Sequence, residues 1–66
     1  MQLNVNGTSK DVPEGTTAAG LLELLGIESA RVVVEVNLSI LKRSQLAEAV
    51  LKEGDQVEVV HFVGGG

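Results

Sequence analysis

Apolar and polar residues alternate from the first position, with Met1, Leu3 and Val5 set against Gln2, Asn4 and Asn6. A period of two predicts a strand with one buried face. Asn6-Gly7 follows, and because both residues tolerate positive φ, it predicts a type I′ hairpin turn. A two-residue turn puts Val5 opposite Thr8 and Leu3 opposite Lys10, so the return strand over residues 8–12 is a weakly hydrophobic edge. Pro13-Glu14-Gly15 ends it. The period then changes. Ala18, Leu21, Leu22 and Leu25 stand at i, i+3, i+4 and i+7, the stripe of a short amphipathic helix. Thr17 supplies an N-cap hydroxyl and Gly26 stands at the left-handed C-terminal cap. Gly20 interrupts that helix at a cost of about 1 kcal/mol relative to Ala, at the position where Glu would complete a capping box.

Residues 32–37 are β-branched and predict a strand with Val32, Val34 and Val36 on the core face and Val33, Glu35 and Asn37 opposite. Residues 38–41 extend or bend it. Ser44 is placed to cap a short helical turn over residues 45–49. Glu53-Gly54-Asp55 is a turn, and residues 56–63 form the last and longest strand. The order is hairpin, helix, strand, short turn, strand. A hairpin sheet crossed by one helix, with the final strand returning to the centre, is an α+β fold of the β-grasp type.

In that last strand Val57, Val59, His61 and Val63 share one face, and Glu58, Val60 and Phe62 share the other. Burying Glu58 unpaired is costly, so the first set is assigned to the core. Val60 and Phe62, with Val33 nearby, are then an exposed apolar patch and a candidate interface. A second reading of Phe62 stays open, in which it folds over the core edge, because small cores scavenge large side chains. Gly64-Gly65-Gly66 comes directly after this strand. A glycine run there is a segment slim enough to thread a narrow channel, since no Cβ limits backbone approach. Such a tail is what a reactive C-terminal carboxylate requires. A frayed end has the same composition, and the rest of the chain has to decide between them. The expected organisation is a domain over residues 1–63 and a glycine tail over 64–66.

Composition narrows the function classes. At 66 residues the length predicts one domain. A domain of that size buries only about 60% of its unfolded surface, which leaves little room for a deep catalytic pocket. Cysteine is absent, which removes disulfides, thiolate metal sites and thiol nucleophiles. The single histidine, His61, is too little for a metal cluster and reads as a packing or surface residue. Neither a catalytic residue of the chain's own nor a bound cofactor is expected. The net charge is −4 with five Lys+Arg and no Trp or Tyr, which argues against nucleic acid. No basic segment leads into an apolar one at the start, and no run approaches a membrane span. The expectation is a cytoplasmic protein whose acidity suits a partner with a basic docking surface. Arg43, beside Lys42 and Ser44, is a candidate contact for an acidic group, or else a solvated charge.

Val34-Glu35-Val36-Asn37, Arg43-Ser44, residues 54–60 (GDQVEVV) and residues 62–66 (FVGGG) together resemble the ThiS family, the sulfur carriers of thiamine biosynthesis. Val5-Asn6-Gly7 and the Leu21-Leu22 helix also fit, so the likeness spans essentially the whole chain. Its chains often carry glycine after the Asn37 equivalent and proline before the Arg43 equivalent. Leu38 and Lys42 stand there here. The resemblance implies a ubiquitin-like β-grasp fold and a carrier role. It implies that an E1-like enzyme, ThiF, uses ATP to adenylate the carboxylate of Gly66, and that a sulfur donor protein then gives a thiocarboxylate. It implies that thiazole synthase, ThiG, accepts that sulfur, with Gly64 and Gly65 threading the partner active site and Phe62, Val60 and Arg43 at the interface. Two other assignments stay open: the small subunit of molybdopterin synthase, with the same tail, and a ubiquitin-like modifier joined through Gly66 to lysines.

Overall fold

A computed structural model describes residues 1–62. The expectations that fall on Val63, Gly64, Gly65 and Gly66 lie outside the described residues. Strands β1 (Gln2–Val5) and β2 (Thr8–Asp11) form the first hairpin, with Val5 opposite Thr8 and Leu3 opposite Lys10. Asn6 and Gly7 take φ of 51° and 84°, the turn that this dipeptide predicts. Helix α1 (Ala18–Leu25) follows, with Thr17 Oγ1 accepting the Gly20 N–H at 3.0 Å and Gly26 as a left-handed cap. A Cβ at position 20 would stand 3.3 Å from that same Thr17 hydroxyl. Glycine therefore keeps the cap bond uncrowded.

Strands β3 (Val32–Val36), β4 (Ser39–Ile40) and β5 (Gln56–His61) complete a mixed five-stranded sheet in the order β2-β1-β5-β3-β4. β5 lies at the centre, parallel to β1 and antiparallel to β3. The architecture is the α+β β-grasp fold that the element order predicts. β4 is a finding: residues 38–41 neither extend nor simply bend β3. They reverse and pair with it, Glu35 opposite Ile40 and Val36 opposite Ser39. The turn rests on Asn37 and Leu38, with φ of 50° and 72°. Leu38 thus adopts the conformation that glycine takes freely. Lys42 likewise holds φ near −70°, a proline value. Its N–H is used, donating to Gln45 Oε1 at 2.8 Å. The turn at residues 43–45 is therefore closed from within by Gln45, in place of the Ser44 cap predicted.

The core lies between the inner sheet face and α1. It contains Leu3, Val5, Ala18, Leu21, Leu22, Val32, Val34, Leu46, Leu51, Val57 and Val59, with Val36 and Leu25 packed at its margin. The turn at residues 53–55 ties β5 to the rest of the sheet. Asp55 accepts the Lys52 N–H at 2.8 Å and the Asn37 side-chain amide at 3.0 Å, and Asn37 Oδ1 accepts the Gln56 N–H. The start of β5 and the β3–β4 turn are thereby locked to one another.

Candidate functional site

Two elements build the site: the far end of β5, and the loop that carries Arg43. Val57 and Val59 are buried and Glu58, Val60 and Phe62 are exposed, as the alternation predicts. His61 belongs to the inner set by alternation but is exposed, although Val32 directly opposite it is buried in the core. Val60 is 52% exposed and Phe62 is 55% exposed, so Phe62 is not part of the core. Val60 sits opposite Val33 across the β3–β5 ladder, which makes Val33, Val60 and Phe62 neighbours on the outer face.

Arg43 joins them. Its side chain donates to the Ser29 carbonyl at 3.1 Å and takes no part in the ion pairs among the described residues. A cavity of about 140 Å³ has Val33, Ile40, Leu41, Arg43 and Phe62 in its lining. The structure thus brings Phe62 and Arg43 to one depression although they stand 19 positions apart in sequence. Val60 adjoins it without lining it. The apolar surface offers shape and burial to a partner, and the guanidinium at its rim offers a planar donor set for a carboxylate.

Three further features were not read from the sequence. Ile40, 65% exposed, falls on the outer face opposite Glu35, and it was hidden because β4 was not predicted. Glu35 and Glu58 stand directly opposite each other on that face. Like charges so placed are unfavourable within the sheet, and they give the apolar patch an acidic neighbour. The Asn6 amide pairs with both backbone groups of Val59, at 2.8 and 3.2 Å. The only sequence signal for it was a turn residue with a spare amide. A wider depression of about 570 Å³ runs beside α1, lined by Thr17, Gly20, Glu23, Ile27 and Glu28 among others. It lies on the helix side of the sheet and holds no nucleophile–base pair. Among the described residues no group of three or more His, Cys, Asp or Glu is placed to hold a metal ion, and no helix is long and apolar enough to cross a membrane.

The ThiS family model matches residues 3–66. The chain belongs to the ThiS family. A crystal structure of the thiamine biosynthesis protein ThiS from Geobacter metallireducens superposes with a TM-score of 0.87 at 36% identity, covering 100% of each chain. The sulfur carrier protein ThiS of Bacillus subtilis is 37% identical over 65 residues, covering 97% of this chain and 98% of that one. A thiazole synthase of Magnetococcus marinus is 44% identical over 66 residues. That match takes in all of this chain but only 20% of the synthase. A ThiS-like stretch is therefore part of a protein named for the thiazole step.

Proposed function

We propose that this chain is a sulfur carrier of thiamine biosynthesis, acting as a co-substrate of partner enzymes through the carboxylate of Gly66. The observation that most supports this reading is the outward apolar pair of Val60, on the central strand, and Phe62, just past its end and two positions ahead of Gly64-Gly65-Gly66, in a ThiS-family chain. A carboxylate resists nucleophilic attack because its charge and resonance stabilise it. An ATP-using, E1-like partner (ThiF) joins the Gly66 carboxylate to the α-phosphate, releasing pyrophosphate and leaving an acyl-adenylate. Sulfide (HS⁻) released by a donor protein then attacks the carbonyl, AMP departs, and loss of the proton leaves the thiocarboxylate. The thiocarboxylate is itself a nucleophile, and a chain without cysteine offers no thiol to compete with it. Gly64 and Gly65 thread the partner's channel, and a side chain at Gly66 would crowd the activated carbonyl. Positioning and charge stabilisation come from the partners. Thiazole synthase (ThiG) is the sulfur acceptor, a choice supported by the synthase that contains a matching stretch.

Incubation with the activating enzyme, ATP and a sulfur source, followed by intact mass measurement, tests the reading. The expected product has one oxygen replaced by sulfur. An unchanged mass, or covalent conjugates through lysine, would sink it, the latter in favour of a modifier. If the thiocarboxylate forms but only a pterin-processing synthase consumes it, the molybdopterin assignment replaces this one.

Phe62→Ala is expected to weaken binding to the activating enzyme and to thiazole synthase by about 2 kcal/mol, as removal of an aromatic anchor does. Its melting temperature should stay near that of the parent, because Phe62 lies outside the core. Calorimetric titration with a melting curve separates the two. Unchanged affinity with early melting would return Phe62 to the core.

A further inference from the structure

The backbone of β5 changes partners along its length. Its even-numbered residues turn their peptide groups to the β3 side, as the bonds from Asn37 N–H to Gln56 C=O and from Phe62 N–H to Arg31 C=O show. Its odd-numbered residues turn the other way, and Asn4 and Asn6 N–H donate to the carbonyls of Asp55 and Val57 at 2.9 Å each. β1 then leaves at the Asn6-Gly7 turn. The Asn6 side chain continues the ladder for one more step, its amide standing in for a peptide group against Val59. The next groups on that side are the N–H and C=O of His61, and no partner for them occurs among the described residues.

The two outer edges of the sheet are blunted. β2 is exposed throughout and carries Lys10 with Thr8, Ser9 and Asp11, and β4 is only two residues long. Short strands and charged side chains are common ways to discourage strand addition. The open stretch at His61 is one residue long, but no Lys, Arg, Asp or Glu stands at it. It is flanked by the exposed Val60 and Phe62, and the glycines follow a few positions later in sequence.

We propose that the His61 N–H and C=O are a strand-addition site that takes an extended segment of thiazole synthase, laid where β1 would have continued. Main-chain bonds give such pairings their affinity, and pockets for alternate side chains give them specificity. Side chains of the incoming segment on the outer face would lie beside Val60 and Phe62, so that segment is apolar at those positions. The bond pair at His61 also fixes the direction of the chain just before the tail. A second copy of this chain is a poor occupant, since each copy carries a net charge of −4 and brings Glu35 and Glu58 to the same face. The choice of thiazole synthase rests on the carrier reading, whereas the open edge does not.

Amide hydrogen exchange on the full chain, alone and saturated with the thiazole synthase of the same organism, tests the site. In the free chain the His61 amide is expected to exchange about tenfold faster than that of Phe62, which is bonded to Arg31, and to slow by about tenfold in the complex. A saturated complex in which His61 still exchanges fast would overturn the proposal. Slowing that follows the concentration of this chain alone would overturn the assigned occupant in favour of a second copy. Variants give an independent reading. His61→Pro removes the donor without breaking a bond to β3, whereas His61→Ala keeps it. The first is expected to lose about tenfold in affinity and the second to bind like the parent, that ratio being roughly the worth of one well-placed hydrogen bond. Equal affinity in both, or equal loss in both, would sink the edge as the site. If His61→Pro folds poorly, the exchange result on the parent chain decides. Failure to form a thiocarboxylate would count against the carrier reading alone, since the exchange experiment needs no activation.

Discussion

Removing Gly66, or Gly65 and Gly66 together, is expected to abolish ATP–pyrophosphate exchange by the activating enzyme while the melting temperature stays that of the parent. On the proposed carrier mechanism the carboxylate is then set back by one or two residues, and a backbone shift of about 3.3–3.6 Å per residue takes it out of line with the α-phosphate. Misplacement on that scale costs orders of magnitude in rate. The fold should not respond, because the described core ends at Val59. Circular dichroism and thermal melting provide the control. Exchange that persists in either truncation would remove the carboxylate mechanism altogether.

Leu22→Ala is expected to cost about 2–5 kcal/mol, as truncation of a fully buried leucine does. Leu22 is 2% exposed and packs in the cluster that joins α1 to the sheet. An eight-residue helix has no stability of its own in water, so this packing is what holds it. For a domain of this size the change corresponds to a fall in melting temperature of roughly 10 °C or more. Leu24→Ala, on the exposed face of the same helix, should melt close to the parent. A reversed ranking of the two would mean that the buried face of α1 is the other one.

Much of the local structure was legible because it rests on local causes. The Asn6-Gly7 turn, the Thr17 cap, the Leu21-Leu22 stripe and the Gly26 cap are each set by residues within a few positions of one another. The inward set of β5 followed from alternation plus the cost of burying Glu58. β4 was not legible, because its turn carries Asn37 and Leu38 where a residue free at positive φ is the usual marker. The capping of the turn at residues 43–45 was misread for a related reason. Ser44 is the more familiar cap residue, and the bond from the Lys42 N–H to Gln45 shows only in three dimensions.

The sequence by itself determined the order and type of the main elements, the outward set of β5 and the glycine run that follows it, whereas the exposure of Phe62 was settled by the structure. Periodicity and turn chemistry act over a few residues and leave their mark in composition. The tertiary structure alone decided which distant residues share the site. Pairing of β3 with β4 and β5 brings Ile40, Val33 and Arg43 around Phe62 and sets Glu35 against Glu58. It also decided that β1 stops short of the end of β5, with Asn6 closing one further step and the His61 backbone without a partner among the described residues. Such juxtapositions depend on strand register and strand length across the sheet, and those follow from the packing of the whole core, which no local pattern encodes.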